Sequence, residues 1–416
     1  MMCIRTRRGC VIGRKARRMR HLYCVLCFIF GMVACRTVVY AETIRWGPLG
    51  ISLGMQAGIE YNDNVNTSSS NPKTDIGFTF GPIANGILQL PITPDADLTV
   101  NTSLGFTYKR YIKHGQESTF SSPISVALTL PWHVEEWLVT VSDNFNFSND
   151  PLESAVSVGR KRVTQYNNLG SLSAFRRFGR FALNLETQRM DRWAPQDPTT
   201  EETVYSFSIT PSVYLQETFS VFWANSVGFV YPEMTVSRSK GFNMTSMIGV
   251  SGLITPVLSG SVGVGYVHSE FDPVNSPFGN KPGASMDNAS ANISLNYSHP
   301  LRPNTTHSLS VFYSPGVTAT MDNSNYQTTY GLSYKITHRL NRQLTLSPTI
   351  AWAHQQDESG LSGQENDTIR LDLGLTRSFG RHLTGTLNYL YQTRSSNKAD
   401  QSYDVNRVTL SFTYMF

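Results

Sequence analysis

The sequence predicts an all-β fold: a transmembrane antiparallel up-and-down β-barrel of about eighteen strands, with sixteen as the alternative, behind a signal peptide. Three observations predict it. Apolar residues alternate with small or polar ones over stretches of ten or so residues. The connections alternate between tight turns and long polar loops, and the chain ends on an alternating apolar strand whose last residue is Phe416.

The leader comes first in the chain. Residues 1–21 hold Arg5, Arg7, Arg8, Arg14, Lys15, Arg17, Arg18 and Arg20 and no acidic residue. An apolar run from Leu22 to Cys35 follows, too short for a spanning helix of about 20 residues. It leads to Val39-Tyr40-Ala41, a small-x-small cleavage site between Ala41 and Glu42. Basic region, apolar run and cleavage site make residues 1–41 a secretory signal peptide, with Met19 as an alternative start. Processing as a lipoprotein at Cys35, after Met32-Val33-Ala34, is the competing reading and has Met where Leu is usual.

Removing the leader changes what the composition says. The 416 residues by themselves suggest two or three domains, and the net charge of +5 invites a nucleic-acid partner. Nine of the 35 Lys and Arg and none of the 30 Asp and Glu lie in residues 1–41, so the remainder carries −4 and no nucleic-acid signature. All five Cys (Cys3, Cys10, Cys24, Cys27 and Cys35) also fall there, which excludes a thiolate metal site, a disulfide framework and a Cys nucleophile from residues 42–416. An aromatic content of 11% argues against disorder, and a charged fraction of 16% is below the usual share of about 25%.

The strands follow from period-two patterning. Leu49, Ile51, Leu53, Met55, Ile59 and Tyr61 share one parity, as do Leu98, Val100, Leu104, Phe106 and Tyr108. The same holds for Phe219, Val221, Trp223, Val227, Phe229 and Tyr231, and for Leu344, Leu346, Ile350 and Trp352. Alternate residues of a strand point to opposite faces, so each segment has one apolar and one polar face. Sandwich strands average about 5–6 residues, whereas a membrane-crossing strand needs about 9–11, and these segments match the latter. In hydrocarbon every backbone N–H and C=O needs a partner, so such a sheet must close.

Loops set the strand count. Nine long polar connections (62–74, 110–118, 148–161, 190–201, 232–240, 269–286, 314–324, 355–366 and 392–402) alternate with eight tight turns such as Arg177-Phe178-Gly179-Arg180 and Gln216-Glu217-Thr218. That makes one domain, 42–416, of nine hairpins, with both termini periplasmic and the long loops outside. Aromatic residues crowd the strand ends as interfacial girdles require. Trp132, Trp137, Phe178, Phe181, Phe219 and Phe379 flank the turns, while Tyr61, Tyr108, Tyr111, Phe145, Phe147, Phe229, Tyr231, Tyr266, Trp352, Tyr389 and Tyr391 lie toward the loops.

Val408, Leu410, Phe412, Tyr414 and Phe416 resemble the terminal strand of bacterial outer-membrane proteins in general. That resemblance implies that Tyr414 and Phe416 signal to the barrel-assembly machinery of a Gram-negative outer membrane. The segment Gly58-Ile59-Glu60-Tyr61-Asn62-Asp63-Asn64-Val65 is similar to the opening motif of the beta-barrel porin-2 family. Some members occur near exosortase or exopolysaccharide loci, so the resemblance implies a channel and adds polysaccharide as cargo, without catalytic residues.

Signals for chemistry are sparse. Gly50-Ile51-Ser52-Leu53-Gly54 matches a nucleophile elbow but lies inside a strand, without the following helix the motif needs. His114, His133, His268, His299, His307, His338, His354 and His382 are scattered singly, with no metal-site spacing, and no cofactor is expected. The acidic pairs Glu135-Glu136, Glu201-Glu202 and Asp357-Glu358 read as solvated turn and loop surface, or as external cation sites that bridge lipopolysaccharide. A hydrolase with a pair assembled across strands is the less favoured alternative.

The lumen carries the preferred site. Lys109, Glu186, Lys335, Arg370, Asp372 and Arg407 sit on the polar parity and are the candidate pore-lining residues. Opposed charges there either bias ion passage or pair with each other and hydrate the wall. Asp143 and Asn225 fall on the apolar parity, through a bulge, a register error or a subunit contact. About seven residues lie between the cleavage site and the first strand, which predicts no plug domain and so no plugged transporter. Loop 269–286 is the longest, rich in Pro and Gly, and either folds into the lumen or covers its mouth. The expectation is a passive porin-like channel for small hydrophilic solutes or exopolysaccharide. The alternative is a surface barrel whose loops bind a partner.

Overall fold

A computed structural model describes residues 44–93, 96–130, 136–148, 164–195, 201–233, 240–276, 279–281, 283–300, 304–317, 326–357, 363–398 and 401–416. The predicted signal peptide with Ala41 and Glu42, and the residues Trp132, His133, Glu135 and Glu358, lie outside the described residues.

The chain forms one closed antiparallel barrel of eighteen strands. In order they are β1 (Leu49–Asn62), β2 (Asp75–Thr93), β3 (Ala96–Gly105 continued by Thr107–Tyr111), β4 (Thr119–Leu130), β5 (Leu138–Ser148) and β6 (Gln165–Phe178). Next come β7 (Phe181–Trp193), β8 (Glu202–Gln216), β9 (Phe219–Pro232), β10 (Gly241–Thr255), β11 (Leu258–Phe271) and β12 (Ala284–Ser298). The last six are β13 (Thr305–Val317), β14 (Tyr326–Asn341), β15 (Leu344–Asp357), β16 (Glu365–Ser378), β17 (Leu383–Ser396) and β18 (Tyr403–Met415). Eighteen strands, rather than the alternative sixteen, therefore make the wall. Each pairs with its sequence neighbour, so the expected up-and-down order of hairpins is what the chain builds.

The wall closes where β1 meets β18, in register from Gly54↔Met415 to Asn62↔Arg407. At the turn end of this seam Phe416 N donates to Leu53 O at 2.7 Å. Beyond it a short strand, Ile44–Trp46, pairs with Leu49–Ile51 and covers the part of β1 that β18 does not reach. At the loop end, Asp63 N donates to Asn406 O at 3.1 Å, and the Asp63 carboxylate accepts from Asn406 N at 2.7 Å and Asn406 Nδ2 at 2.8 Å. Asn64 Nδ2 donates to Asp404 O and Ser68 O, both at 2.9 Å, while Val65 beside it is buried. The Tyr61–Val65 motif thus sits across the closure and joins the first strand to the last.

Facing follows the predicted parity. Leu53, Met55, Ile59 and Tyr61 of β1 are exposed on the outer face, while Glu60 and Asn62 are buried on the inner one. Trp223, Phe229, Ile248, Val264, Ile350 and Trp352 continue the outward apolar surface. Tyr111 departs from the girdle reading. It stands on the inner parity, buried, and donates its hydroxyl to Glu60 Oε1 at 2.8 Å.

Asp143 and Asn225 point outward. Asp143 lies opposite Val126 and Gly170, and Asn225 opposite Ile209 and Ser246, with no register shift at either, so neither a bulge nor a register error explains them. Asn225 is held in an outward polar cluster: Ser246 Oγ donates to Asn225 Oδ1 at 2.9 Å and accepts from Trp223 Nε1 at 2.9 Å.

Loop lengths alternate as expected, with Gly179 at φ +61° in the turn between β6 and β7, a conformation that glycine adopts without steric cost. Loop 269–286 is shorter than its prediction. β11 runs to Phe271 and β12 starts at Ala284, and the intervening segment forms a small hairpin, Val274–Ser276 with Gly279–Lys281.

One stretch of wall is not laddered. β12 and β13 pair only from Ser298↔Thr306 to Ala291↔Tyr313, although β12 continues to Ala284 and β13 to Val317. The sequence supplies the reason. Thr305 O accepts from His299 N, so the odd-numbered residues of β13 turn their backbone groups toward β12. The next hydrogen-bonded pair in the register would be Ala289 with Pro315, and proline has no N–H to donate. Above this point β13 steps inside the wall. The outward Tyr313 hydroxyl donates to the inward Asn288 Oδ1 at 3.0 Å, and β13 comes into contact with β10 and β11 as well. Inner-face Val267, Ser269 and Ser290 are buried, as is Pro315.

Candidate functional site

The inner surface has two walls of different chemistry. One runs over β16, β17, β18 and β1 to β3 and is strongly charged. Glu60, 2% exposed, is its centre: Lys109 Nζ lies 3.0 Å from Glu60 Oε2, and Arg407 Nε 4.0 Å from the same oxygen. Thr409 Oγ1 donates to that oxygen at 3.4 Å. Cations and hydroxyls thus stand around this buried carboxylate where water would otherwise be. Arg370 and Asp372, two residues apart on β16, pair at 2.5 Å, and Asn388 Nδ2 donates to Asp372 Oδ1 at 3.3 Å.

The six sequence candidates all stand on the inner parity, and register brings two of them together. Lys109 and Arg407 converge on Glu60, a residue not singled out from the sequence, although it lay on the polar parity of β1. Arg370 pairs with its neighbour Asp372. Glu186 accepts from Gln188 Nε2 at 2.6 Å on β7, far around the wall, and Lys335 faces inward from β14 between Ser308 and Thr349.

The rim above the charged wall is tied down by Asp75 at the loop end of β2, whose 19 residues exceed the roughly 9–11 needed to cross a bilayer. Its carboxylate accepts from His114 N at 2.7 Å, Lys113 N at 2.9 Å and Ile76 N at 2.7 Å. Burial opposes its charge, but these backbone donors outweigh that and hold the Asp75 carboxyl below its ordinary value.

Two acidic residues read as solvated are not. Glu202 is buried on the inner face and accepts from Arg192 Nη1 at 3.0 Å, and Asp357 is buried and accepts from Gly363 N at 3.0 Å. Both open or close a strand, so the strand end carries them inside. Histidines that were isolated in sequence acquire partners on the outer face. His268 Nδ1 lies 2.6 Å from Asp287 Oδ1 and Nε2 3.1 Å from Glu270 Oε1. With both ring nitrogens engaged by carboxylates, neither is free to serve as a base toward a hydroxyl. The Gly50–Gly54 elbow pattern lies within β1, as its parity indicated.

The second wall spans β10 to β15 and is largely uncharged, with Lys335 of β14 and Asp357 at the end of β15 as charged inward residues. Where β13 steps inward, a cavity of about 640 Å³ opens, lined by Asn243, Thr245, Asn292, Gln327, Thr329 and Gln355 together with the Phe312 ring. No Lys, Arg, Asp, Glu or His side chain among the described residues lines it. The inward step belongs to β13, a strand that lies beyond β12 from the segment 269–286. That segment borders a separate cavity of about 460 Å³ near the rim, between Phe242, Glu270 and Gly283.

Solved structures similar to this chain include OccK2 (OpdF) of Pseudomonas aeruginosa, at 10% identity over 88% of this chain and 98% of that one, with a TM-score of 0.47. The outer membrane protein opdK of Pseudomonas aeruginosa is similar at 11% identity over 88% and 99%, with a TM-score of 0.46. The FrpB iron transporter of Neisseria meningitidis is similar at 8% identity over 88% and 81%, with a TM-score of 0.46. No curated protein matches the chain. The family to which the Gly58–Val65 motif pointed matches at the other end of the chain: residues 234–416, from the segment between β9 and β10 to Phe416, match the family described as Putative beta-barrel porin 2.

Proposed function

We propose that the chain is a passive channel of a Gram-negative outer membrane, with both termini periplasmic, the long loops outside, and small hydrophilic solutes as cargo. One observation carries the reading: a closed eighteen-stranded wall is apolar outside and polar inside, as a barrel wide enough for water requires. The porin family match over residues 234–416 supports it. Strands of 11 to 19 residues reach beyond the bilayer at the loop end, where lipopolysaccharide is the surrounding lipid. Selection works through pore width and lumen charge. The Glu60, Lys109 and Arg407 cluster sets a field across the lumen, and the inward β13–β14 hairpin sets its width. Exopolysaccharide, the cargo implied by the motif resemblance, is a narrower form of the same reading.

Planar bilayers test this. The folded protein is expected to give discrete conductance steps in potassium chloride, and a persistently silent bilayer would overturn the channel. Block of that current by dextran chains would favour a polysaccharide conduit, and a current that dextran leaves unchanged would favour a solute channel.

A further inference from the structure

We propose that the cavity behind the β13–β14 hairpin is a binding site for an uncharged, polyhydroxylated solute such as a free sugar or sugar alcohol. This deepens the channel reading and rests on it for the route by which solute arrives.

The lining chemistry points to that class. Asn243, Asn292, Gln327 and Gln355 present amides that both donate and accept, and Thr245 and Thr329 add hydroxyls. A sugar offers the same mixture, so each of its hydroxyls can exchange a water for an amide or hydroxyl partner. The Phe312 ring adds a flat apolar surface against which the C–H face of a sugar ring can lie. A charged solute would leave water without a counter-ion among the residues that line the cavity, at a cost that neutral amides do not repay. The densest group of lumen charges stands elsewhere, around Glu60.

A second observation is independent of the lining list. Ser290, 6% exposed, borders the cavity, and its Oγ is buried without a hydrogen-bond partner. Buried hydroxyls are ordinarily paired, and an orphan facing a polar cavity is a place for a ligand hydroxyl. Gln327, 4% exposed, donates to Thr329 Oγ1 at 2.8 Å, which holds one amide of the site in a set orientation. The floor is cleared by Gly263 on β11, where a Cβ would come within 2.6 Å of Met247 Sδ and 2.9 Å of Asn292 Oδ1. The volume of about 640 Å³ lies in the range of small-molecule sites, about 300–1,000 Å³.

The test is calorimetric titration of the detergent-folded barrel with maltotriose and sorbitol as neutral probes, and gluconate and glucosamine as charged ones. At least one neutral probe is expected to bind, and both charged probes to bind more weakly. Asn292→Leu and Gln327→Leu are each expected to weaken the neutral probe about tenfold, the value of a hydrogen bond and the partner left unpaired. Equal or tighter binding of a charged probe, or no heat from either neutral one, overturns the site. So does undiminished binding by variants that keep the mobility of the folded barrel. The comparison of probes needs no variant, so a variant that fails to fold leaves the proposal decidable. Calorimetry needs no current either, so a silent bilayer with intact sugar binding would remove the channel and leave the site.

Discussion

The Tyr313 hydroxyl stands on the outward parity of β13 and donates to Asn288 Oδ1 on the inward parity of β12, at 3.0 Å. Two neighbouring strands in one wall cannot make that contact, because their outward side chains lie on the same side of the sheet. It forms because β13 passes inside β12 once Pro315 has removed the next ladder donor. The wall is therefore continuous on the turn side of Ala291 and Tyr313 and held by side chains beyond them.

Restoring the donor should move the hairpin. Pro315→Val supplies an N–H that can donate to the Ala289 carbonyl, and the ladder is expected to extend by one hydrogen-bonded pair. With β13 drawn into the wall, single-channel conductance in planar bilayers should rise. Tyr313→Phe, which removes one bond worth about 1 kcal/mol, should shift conductance in the same direction by less. Unchanged conductance in Pro315→Val would show that the hairpin does not set the pore width.

Glu60→Gln tests the charged wall. Removing one partner of a buried ion pair leaves the others uncompensated and costs about 3–5 kcal/mol. Lys109 and Arg407 both lose their shared counter-charge. A lower unfolding temperature and a reversal potential shifted toward anions are expected, the latter measured across a salt gradient.

Asp63→Ala tests the closure. Its carboxylate holds both Asn406 N and Asn406 Nδ2, and a hydrogen bond to a charged group is worth about 1.5–3 kcal/mol. The variant should lose its heat-resistant gel mobility at a lower temperature than the parent. An equal loss in Thr74→Ala, whose hydroxyl donates to Asp63 O from the solvent side, would assign the effect to the loop instead of the seam.

Phe416 can be separated into two roles. Its N–H contact to Leu53 O needs only a backbone, whereas the proposed assembly signal needs the ring, which packs on Tyr414 at 5.3 Å. Phe416→Ala should fold from denaturant into detergent like the parent, and should reach the outer membrane of cells in much smaller amount. Equal amounts of both proteins in isolated outer membranes would remove the signal.

Much of the barrel was legible because facing is a local property. Alternation of Cβ direction is built into an extended chain, so the outward set around Leu53 and Ile59 and the inward Lys109, Arg370 and Arg407 could be assigned from parity alone. Loop and turn chemistry then counted the hairpins. Tyr111 was misplaced because aromatic residues near strand ends were assigned to girdles without regard to parity, which already put it beside Lys109 on the inner side. Pro315 was placed within loop 314–324, whereas β13 continues to Val317 with its proline toward the unpaired side.

Covalent alternation therefore sets which side chains meet lipid and which meet the lumen, and it needs no knowledge of the rest of the chain. Which inward residues meet each other is a matter of register and closure. Glu60 reaches Lys109 across β2 and Arg407 across the seam, and those distances exist only once the first strand has joined the last. The uncharged cavity likewise exists only because β13 leaves the wall, and a strand's path through space depends on every ladder that precedes it.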